Sequence, residues 1–293
     1  MNTTTIFLTG GGSFIGRNIL EKLSTKYKIF APSHKELDLL DSNSVDSFFK
    51  GHRMDVVIHA AYIGGSKKPY VPDAVEKNLR MFFNIVRNYI HFKKMIHLGS
   101  GAYYDKSRPL VKIKEENFGD RIPIDQYGFS KYLCSLYASN LKKVVVLRLF
   151  AIFGKYEDMD TRFISHAIYC ALFNLPITIR KNVFFDYLYV DDFIRILEYF
   201  IDSESKEKSY NIGRGESVDL LNIANLINKI SKNNSKIIIK KKGIDNEYTC
   251  DNSRLKREIH NLQFTRFEES IRELYSWYKS TKSSVFDGGD NYK

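Results

Sequence analysis

Cysteine is nearly absent from this chain: Cys134, Cys170 and Cys250 are the three in 293 residues. They are scattered, with no ligand spacing, so they suggest neither a disulfide framework nor a metal site. Three core thiols and no metal are expected. Long apolar runs are missing too. No stretch approaches the ~20 residues a membrane helix needs. The N-terminus has neither a basic region nor a cleavage signature before it enters a strand pattern. A cytoplasmic protein with no membrane partner is therefore expected. No nucleic-acid-binding motif is present, although 45 Lys and Arg against 34 Asp and Glu leave a formal charge of +11. A phosphorylated small ligand accounts for that balance as well as nucleic acid does, so no nucleic-acid partner is expected.

What is present is an ordinary globular composition, 43% hydrophobic and 27% charged, long enough for a large core. Residues 5–8 form an apolar run. Thr9-Gly10-Gly11-Gly12-Ser13-Phe14-Ile15-Gly16 follows, then an amphipathic stretch to Leu23. In the order strand, glycine-rich turn, helix, glycine allows the tight turn and the helix N-terminus offers free N–H groups to a pyrophosphate. Gly10, Gly12, Ser13, Phe14, Ile15 and Gly16 are the expected contacts. The alternation continues, with strands over 27–30, 56–59, 94–98 and 144–149 and helices over 42–49, 71–89 and around Tyr127. It predicts an α/β fold with a doubly wound parallel sheet of the Rossmann type. Ligands bind such sheets at the carboxyl ends of the strands. Ala60, Ala61, Tyr62 and Leu149 are expected there.

The end of the second strand bears on cofactor choice. NAD sites usually hold Asp or Glu there, whereas this chain reads Ala31-Pro32-Ser33-His34-Lys35 with no carboxylate before Glu36. That favours NADP, with Ser33, His34 and Lys35 at its 2′-phosphate. Leu40 and Asp41 fall at the adenine end, where Asp41 could instead cap the next helix.

Tyr127 and Lys131, four residues apart, share one helix face. A nearby ammonium favours phenolate and brings a phenol of pKa ~10 closer to proton transfer at neutral pH.

Thr9-Gly10-x-x-Ser13-x-x-Gly16, His59-Ala60-Ala61, Ser100 ahead of Tyr104, Tyr127-x-x-x-Lys131 and Tyr187-Leu-Tyr-Val-Asp-Asp192 together resemble the extended short-chain dehydrogenase/reductases acting on nucleotide-diphosphate sugars. Within that family the chain is most similar to the GDP-fucose synthase-like 4-keto-sugar reductases, from about Thr5 to Lys279. The resemblance implies a catalytic trio. Tyr127 protonates the carbonyl oxygen, Lys131 holds the nicotinamide ribose and tunes Tyr127, and Ser100 hydrogen-bonds the same oxygen. It also implies a homodimer built on the helices carrying Tyr89 and Tyr132.

The departures narrow the reaction. Ser13 replaces the middle glycine. The cysteine and histidine that move protons on carbon in the epimerising synthases are here Ala102 and Arg162. The acidic pair of the dehydratases is Gly101 and Ala102. Reduction without epimerisation is expected. Ala151 and Phe185 replace a usual Asn and Arg, so the diphosphate contact is expected from Arg180, Lys181 or Arg214, with Ala102, Tyr103 and Arg162 near the sugar.

Residues 99–124 read as a long loop framing the sugar. Beyond 154, helices over 161–173, 192–201, 219–230 and 267–278 and strands over 176–179 and 236–240 suggest a substrate-binding lobe. Residues 187–190 are expected to rejoin the main sheet, with Asp191 and Asp192 capping the following helix. The division reads as 1–153 plus about 186–212 for the dinucleotide domain and 154–185 plus 213–279 for the lobe. A polar, disordered tail from 280 to 293 completes it.

Overall fold

The structure is a computed structural model that describes residues 3–64 and 71–281. Part of the glycine stretch after Tyr62 and all but the first two residues of the polar tail lie outside the described residues.

The first half runs β1 (Thr5–Thr9), α1 (Phe14–Leu23), β2 (Lys28–Phe30), α2 (Ser42–Gly51), β3 (Met54–His59), α3 (Ala74–Val86), β4 (Phe92–Ser100), β5 (Leu110–Ile113), α4 (Gln126–Ala138) and β6 (Val144–Leu149). The second runs β7 (Ile152–Phe153), α5 (Phe163–Leu172), β8 (Ile177–Asn182), β9 (Phe184–Phe185), β10 (Leu188–Tyr189), α6 (Val190–Asp202), β11 (Ser209–Ile212), β12 (Val218–Asp219), α7 (Leu220–Ser231), β13 (Ile237–Ile244), β14 (Tyr248–Cys250), α8 (Ser253–Glu258) and α9 (Phe267–Ser280).

Six strands make one parallel sheet in the order β11-β6-β4-β3-β1-β2. Successive side chains along a strand face opposite sides of a sheet, and two cores result. Ile6, Leu8, Val56, Ile58, Ile96, Leu98, Val145 and Leu147 join the α1 and α6 side. Phe7, Val57, Met95, Val144 and Val146 join the α2 and α3 side. Covered on both faces, these strands read as continuous apolar runs. A third core gathers α5, α7, α9 and β8.

The expected fold is found, with four differences. The sixth strand of the sheet is β11, not 187–190; β10 pairs with β7 just past the end of β6. The stretch 99–124 is not a structureless loop. It holds β5 and short 3₁₀ turns over Gly101–Tyr104 and Glu115–Asn117, because β5 finds an edge to pair with in β14. The helix expected over 71–89 shortens to α3, with Asp73 at left-handed φ before it. Asp191 and Asp192 lie in the first turn of α6, whose N-cap is Tyr189, where negative charge suits the helix dipole. Asp192 accepts from Thr265, and Asp191 pairs with Lys22 at 2.7 Å. All three cysteines are free and buried.

Candidate active site

In the sheet, β1 lies between β2 and β3, so the chain order reverses there and a crevice opens at the strand ends. Thr9 holds it: its Oγ1 accepts from Ala60 N at 3.1 Å and Ala61 N at 3.0 Å and meets His59 Nδ1 at 2.9 Å. Gly10, at φ +71°, passes so near that an added Cβ would lie 2.8 Å from Ala61 N. Ser13 accepts from Gly16 N at 3.1 Å and caps α1. The serine in place of glycine therefore orders the N-terminus of α1.

The crevice widens into a cavity of about 980 Å³. Gly10, Gly12, Ser13, Phe14 and Ile15 line one wall, and Ala60, Ala61, Tyr62 and Leu149 another. An added Cβ on Gly12 would meet nothing within 4 Å, so this backbone is open to a ligand. Free N–H groups at the start of α1, beside open glycine backbone, fit a dinucleotide pyrophosphate. Gly16 lies beneath, packed on the Gly10–Gly11 backbone, and supports the turn without facing the cavity.

At the far end Ser33, His34 and Leu40 line the cavity. Lys35 does not; it is exposed beyond the rim. Asp41 caps α2, accepting from Asn43 N at 3.0 Å, and does not face the cavity. Asp38 does. Its Oδ1 accepts from Leu40 N at 2.9 Å and lies 3.8 Å from His34 Nδ1. The turn Ser33–Glu36, closed by Leu37 N bonding to Ser33 O at 3.0 Å, swings this later carboxylate inward. Reading the strand end alone misses it.

The chemical end is built on α4, whose first turn Asp125 caps by accepting from Gly128 N at 3.0 Å. Tyr127 and Lys131 both line the cavity. Burial raises the Tyr127 phenol, opposed by the nearby Ser100 hydroxyl and by the charge of Arg162. Lys131 does not turn toward that phenol. Its Nζ donates to Leu98 O at 2.7 Å and lies 4.2 Å over the Tyr62 ring, and burial lowers its pKa to about 8. The expected lysine–phenol pairing is therefore replaced by a lysine–carbonyl bond, since a buried ammonium needs an acceptor.

Of the six residues expected at the sugar or its diphosphate, Arg162 alone lines this cavity. Ala102 and Tyr103 are 2% and 0% exposed, because the 3₁₀ turn that follows Ser100 points them into the core. Arg180 bonds Asp245 at 2.9 Å, and Lys181 lies 3.8 Å from the same carboxylate. Arg214 is held by Thr265 O and by Glu216 at 3.1 Å. These three cations are committed to carboxylates or a carbonyl away from the cavity.

Two residues were missed at this end. Glu157, 7% exposed, lines the cavity; Ser165 Oγ donates to it at 2.7 Å, and Arg162 Nε lies 4.0 Å away. Burial raises its pKa to about 7. Its place just beyond Gly154, past the end of a sheet strand, was a usable signal. The other is Tyr248, whose hydroxyl lies against Gly101, next to Ser100, 2.5 Å from where a Cβ on Gly101 would stand. Nothing near it in the sequence marks it. Among the described residues no acidic, histidine or cysteine cluster could hold a metal ion, and no helix is long and apolar enough to cross a membrane.

Comparison with known proteins gives the family and supports the fold. The model of the NAD dependent epimerase/dehydratase family matches residues 6–213. GDP-L-colitose synthase of Yersinia pseudotuberculosis is 35% identical over 107 residues, which are 34% of this chain and 35% of that protein. ADP-L-glycero-D-manno-heptose-6-epimerase of Brachyspira hyodysenteriae is 24% identical over 78% of this chain and 82% of its own length. The solved GDP-mannoheptose C4 reductase MlghC of Campylobacter jejuni, with NADP bound, superposes with a TM-score of 0.78 at 17% identity, covering 95% of this chain and 99% of that one. At that identity the likeness is one of fold.

Proposed function

Because this chain belongs to the NAD dependent epimerase/dehydratase family, we propose that it is an NADPH-dependent reductase of a nucleotide-diphosphate 4-keto sugar, a 6-deoxy hexose or heptose made for surface glycan, acting without epimerisation at C3 or C5. One observation carries the reading. Tyr127 and Lys131 face the cavity whose other end is the glycine turn, while position 102 offers a buried methyl group and position 162 a guanidinium that cannot act as a base.

The bound coenzyme would supply hydride to the keto carbon. Tyr127 gives its proton to the oxygen as charge builds there, and burial keeps that phenol protonated beforehand. Ser100 gives a second hydrogen bond to the same oxygen, and a preorganised donor stabilises the developing charge. Lys131, which donates to Leu98 O without coenzyme, would hold the coenzyme's ribose. Ser33 and His34 would hold the 2′-phosphate. The region around α5, α7 and α9 acts as the substrate lobe, and Arg162 reaches the sugar or its diphosphate from the cavity wall. The protein works in the cytoplasm as a homodimer through α3 and α4, whose Phe83, Leu136 and Tyr137 are exposed.

The test is titration with NADPH and NADH, then NADPH consumption with GDP-, dTDP-, CDP- and UDP-linked 4-keto sugars. Consumption with one nucleotide class is expected. Tight NAD retention without net consumption overturns the reading in favour of an NAD-dependent 4-epimerase or C4 dehydrogenase. Asp38 at the adenosine end is the observation favouring that alternative. A dinucleotide sensor without chemistry would bind coenzyme and consume none with any sugar.

A further inference from the structure

Two carboxylates line the cavity from the segment between β7 and α5, and their oxygens are used differently. Asp158 commits both to its own turn, accepting from Asp160 N at 3.0 Å and Thr161 Oγ1 at 2.9 Å. Glu157 commits one. Its Oε2 accepts from Ser165 Oγ at 2.7 Å. Its Oε1 receives no hydrogen bond among the described residues and lies 4.0 Å from Arg162 Nε, beyond hydrogen-bonding distance. An open oxygen on a side chain only 7% exposed is unfavourable until a partner fills it. We propose that Glu157 is a specificity-determining residue: it binds a ring hydroxyl of the sugar, on C2 or C3, with Arg162 meeting the same hydroxyl from the other side. The proposal rests on the reductase reading and names a group its substrate must carry.

The fold builds this carboxyl into place. Tyr156, immediately before it, sits at φ +69°, in the left-handed region that a bulky side chain rarely adopts. Three contacts hold it there. Its hydroxyl donates to Glu21 Oε2 at 2.8 Å, the Arg17 guanidinium lies 4.3 Å over its ring, and Trp277 meets that ring edge-on at 5.3 Å. Strain of this kind persists where the surroundings over-determine it, and it gathers at binding sites. Here Glu157 N closes the turn on Gly154 O at 3.4 Å, while Lys155 O accepts from Asn18 Nδ2 at 2.9 Å and ties the turn to α1.

The coenzyme's expected contacts lie on the glycine turn, the strand ends and α4. Glu157, Asp158, Thr161 and Arg162 line the cavity from the segment that leads into α5, and so face the second ligand. The group they recognise follows from the gap between them. A hydroxyl both donates and accepts, so one lying about 2.8 Å from each bridges Oε1 and Nε across their 4.0 Å separation. It suits a protonated carboxyl and an ionised one alike. A phosphate suits the guanidinium but sets negative charge against the carboxyl. With C4 a ketone and C1 joined to the diphosphate, the ring hydroxyls of the sugar are those on C2 and C3.

The experiment measures kcat and KM of the unsubstituted protein and of Glu157→Leu, with the nucleotide sugar that supports NADPH consumption and with its 2-deoxy and 3-deoxy counterparts. One deoxy sugar should lower kcat/KM of the unsubstituted protein roughly ten- to a hundredfold, mostly through KM, and that of Glu157→Leu by less than about threefold. Glu157→Gln, which keeps an acceptor for Ser165 Oγ and a donor for the hydroxyl, should recover most of the loss. NADPH affinity should stay within about twofold in both variants. The deoxy sugars test the unsubstituted protein even where Glu157→Leu fails to fold: no loss with either overturns the proposal. Equal losses with and without Glu157 overturn it too, as does weaker NADPH binding in Glu157→Leu, which would put the carboxyl on the coenzyme. If the unsubstituted protein reduces no sugar of the panel, the reductase reading falls by itself. Calorimetric binding of the same sugars to the NADP-loaded protein then decides the contact: a deoxy penalty that Glu157→Leu abolishes upholds it, and equal or undetectable binding overturns it.

Discussion

Lys131 Nζ donates to the carbonyl oxygen of Leu98 at 2.7 Å, tying the middle of α4 to the end of β4. Burial disfavours its charge and lowers its pKa to about 8. Below that value the ammonium can bond a ribose hydroxyl and favour an anionic ligand; above it the charge is lost. NADPH affinity of the free protein should therefore fall as pH rises through about 8, and Lys131→Met should bind more weakly with no such step. Fluorescence titration of NADPH between pH 6.5 and 9.5 measures both. A pH-independent affinity in the unsubstituted protein would remove Lys131 from the coenzyme site.

Tyr127→Phe keeps the ring, which meets Tyr62 edge-on at 4.9 Å, and removes only the hydroxyl. The cavity wall survives, so coenzyme affinity should stay within about twofold. Turnover should drop by two to four orders of magnitude, the usual contribution of a positioned general acid. Single-turnover oxidation of NADPH separates the two effects. Turnover near the wild-type level would mean that another group delivers the proton.

How much was legible depends on how far each signal travels along the chain. The parallel sheet was readable because each strand announces itself locally: Ile6-Phe7-Leu8 and Val144-Val145-Val146-Leu147 are apolar on both faces, and Gly10 must turn where it does. Tyr127 and Lys131 were readable because one helical turn separates them. Tyr248 was not, because it reaches Gly101, beside Ser100, only through strand pairing between β14 and β5, more than a hundred residues apart in sequence. Tyr103 was misread for the opposite reason. It follows the serine closely, yet a 3₁₀ turn rather than an extended strand carries it, and the ring ends in the core. The charges of Arg180 and Arg214 were visible, but their acceptors, Asp245 and Thr265 O, lie 65 and 51 residues away.

At the adenosine end His34 and Asp38 face one another across 3.8 Å, an imidazole and a carboxylate in one wall. A 2′-phosphate is drawn to the first and repelled by the second; two ribose hydroxyls suit the carboxylate. His34→Ala should weaken NADPH binding by about tenfold and leave NADH nearly unchanged, the worth of one charge-assisted hydrogen bond. Asp38→Asn should weaken NADH and spare or strengthen NADPH. Parallel titrations of the two coenzymes check the pair. The reverse pattern would assign the protein to NAD.

Glu157 couples the cavity to stability. Its folded pKa, raised to about 7 from 4.5 by burial, means that the folded state holds a proton which the unfolded chain has released. The stability from this group is fully present below about 4.5 and is lost as pH rises through about 7. Glu157→Gln keeps an acceptor for Ser165 Oγ, which donates at 2.7 Å, and carries no proton to lose. Relative to Glu157→Gln, the unsubstituted protein should therefore lose stability between pH 4.5 and 7.5, by on the order of 2–3 kcal/mol. Urea unfolding of both at pH 5.0 and 7.5 measures the difference. Parallel pH dependences would mean that the carboxyl is ionised in the fold, with Arg162, 4.0 Å away, drawn closer to hold it.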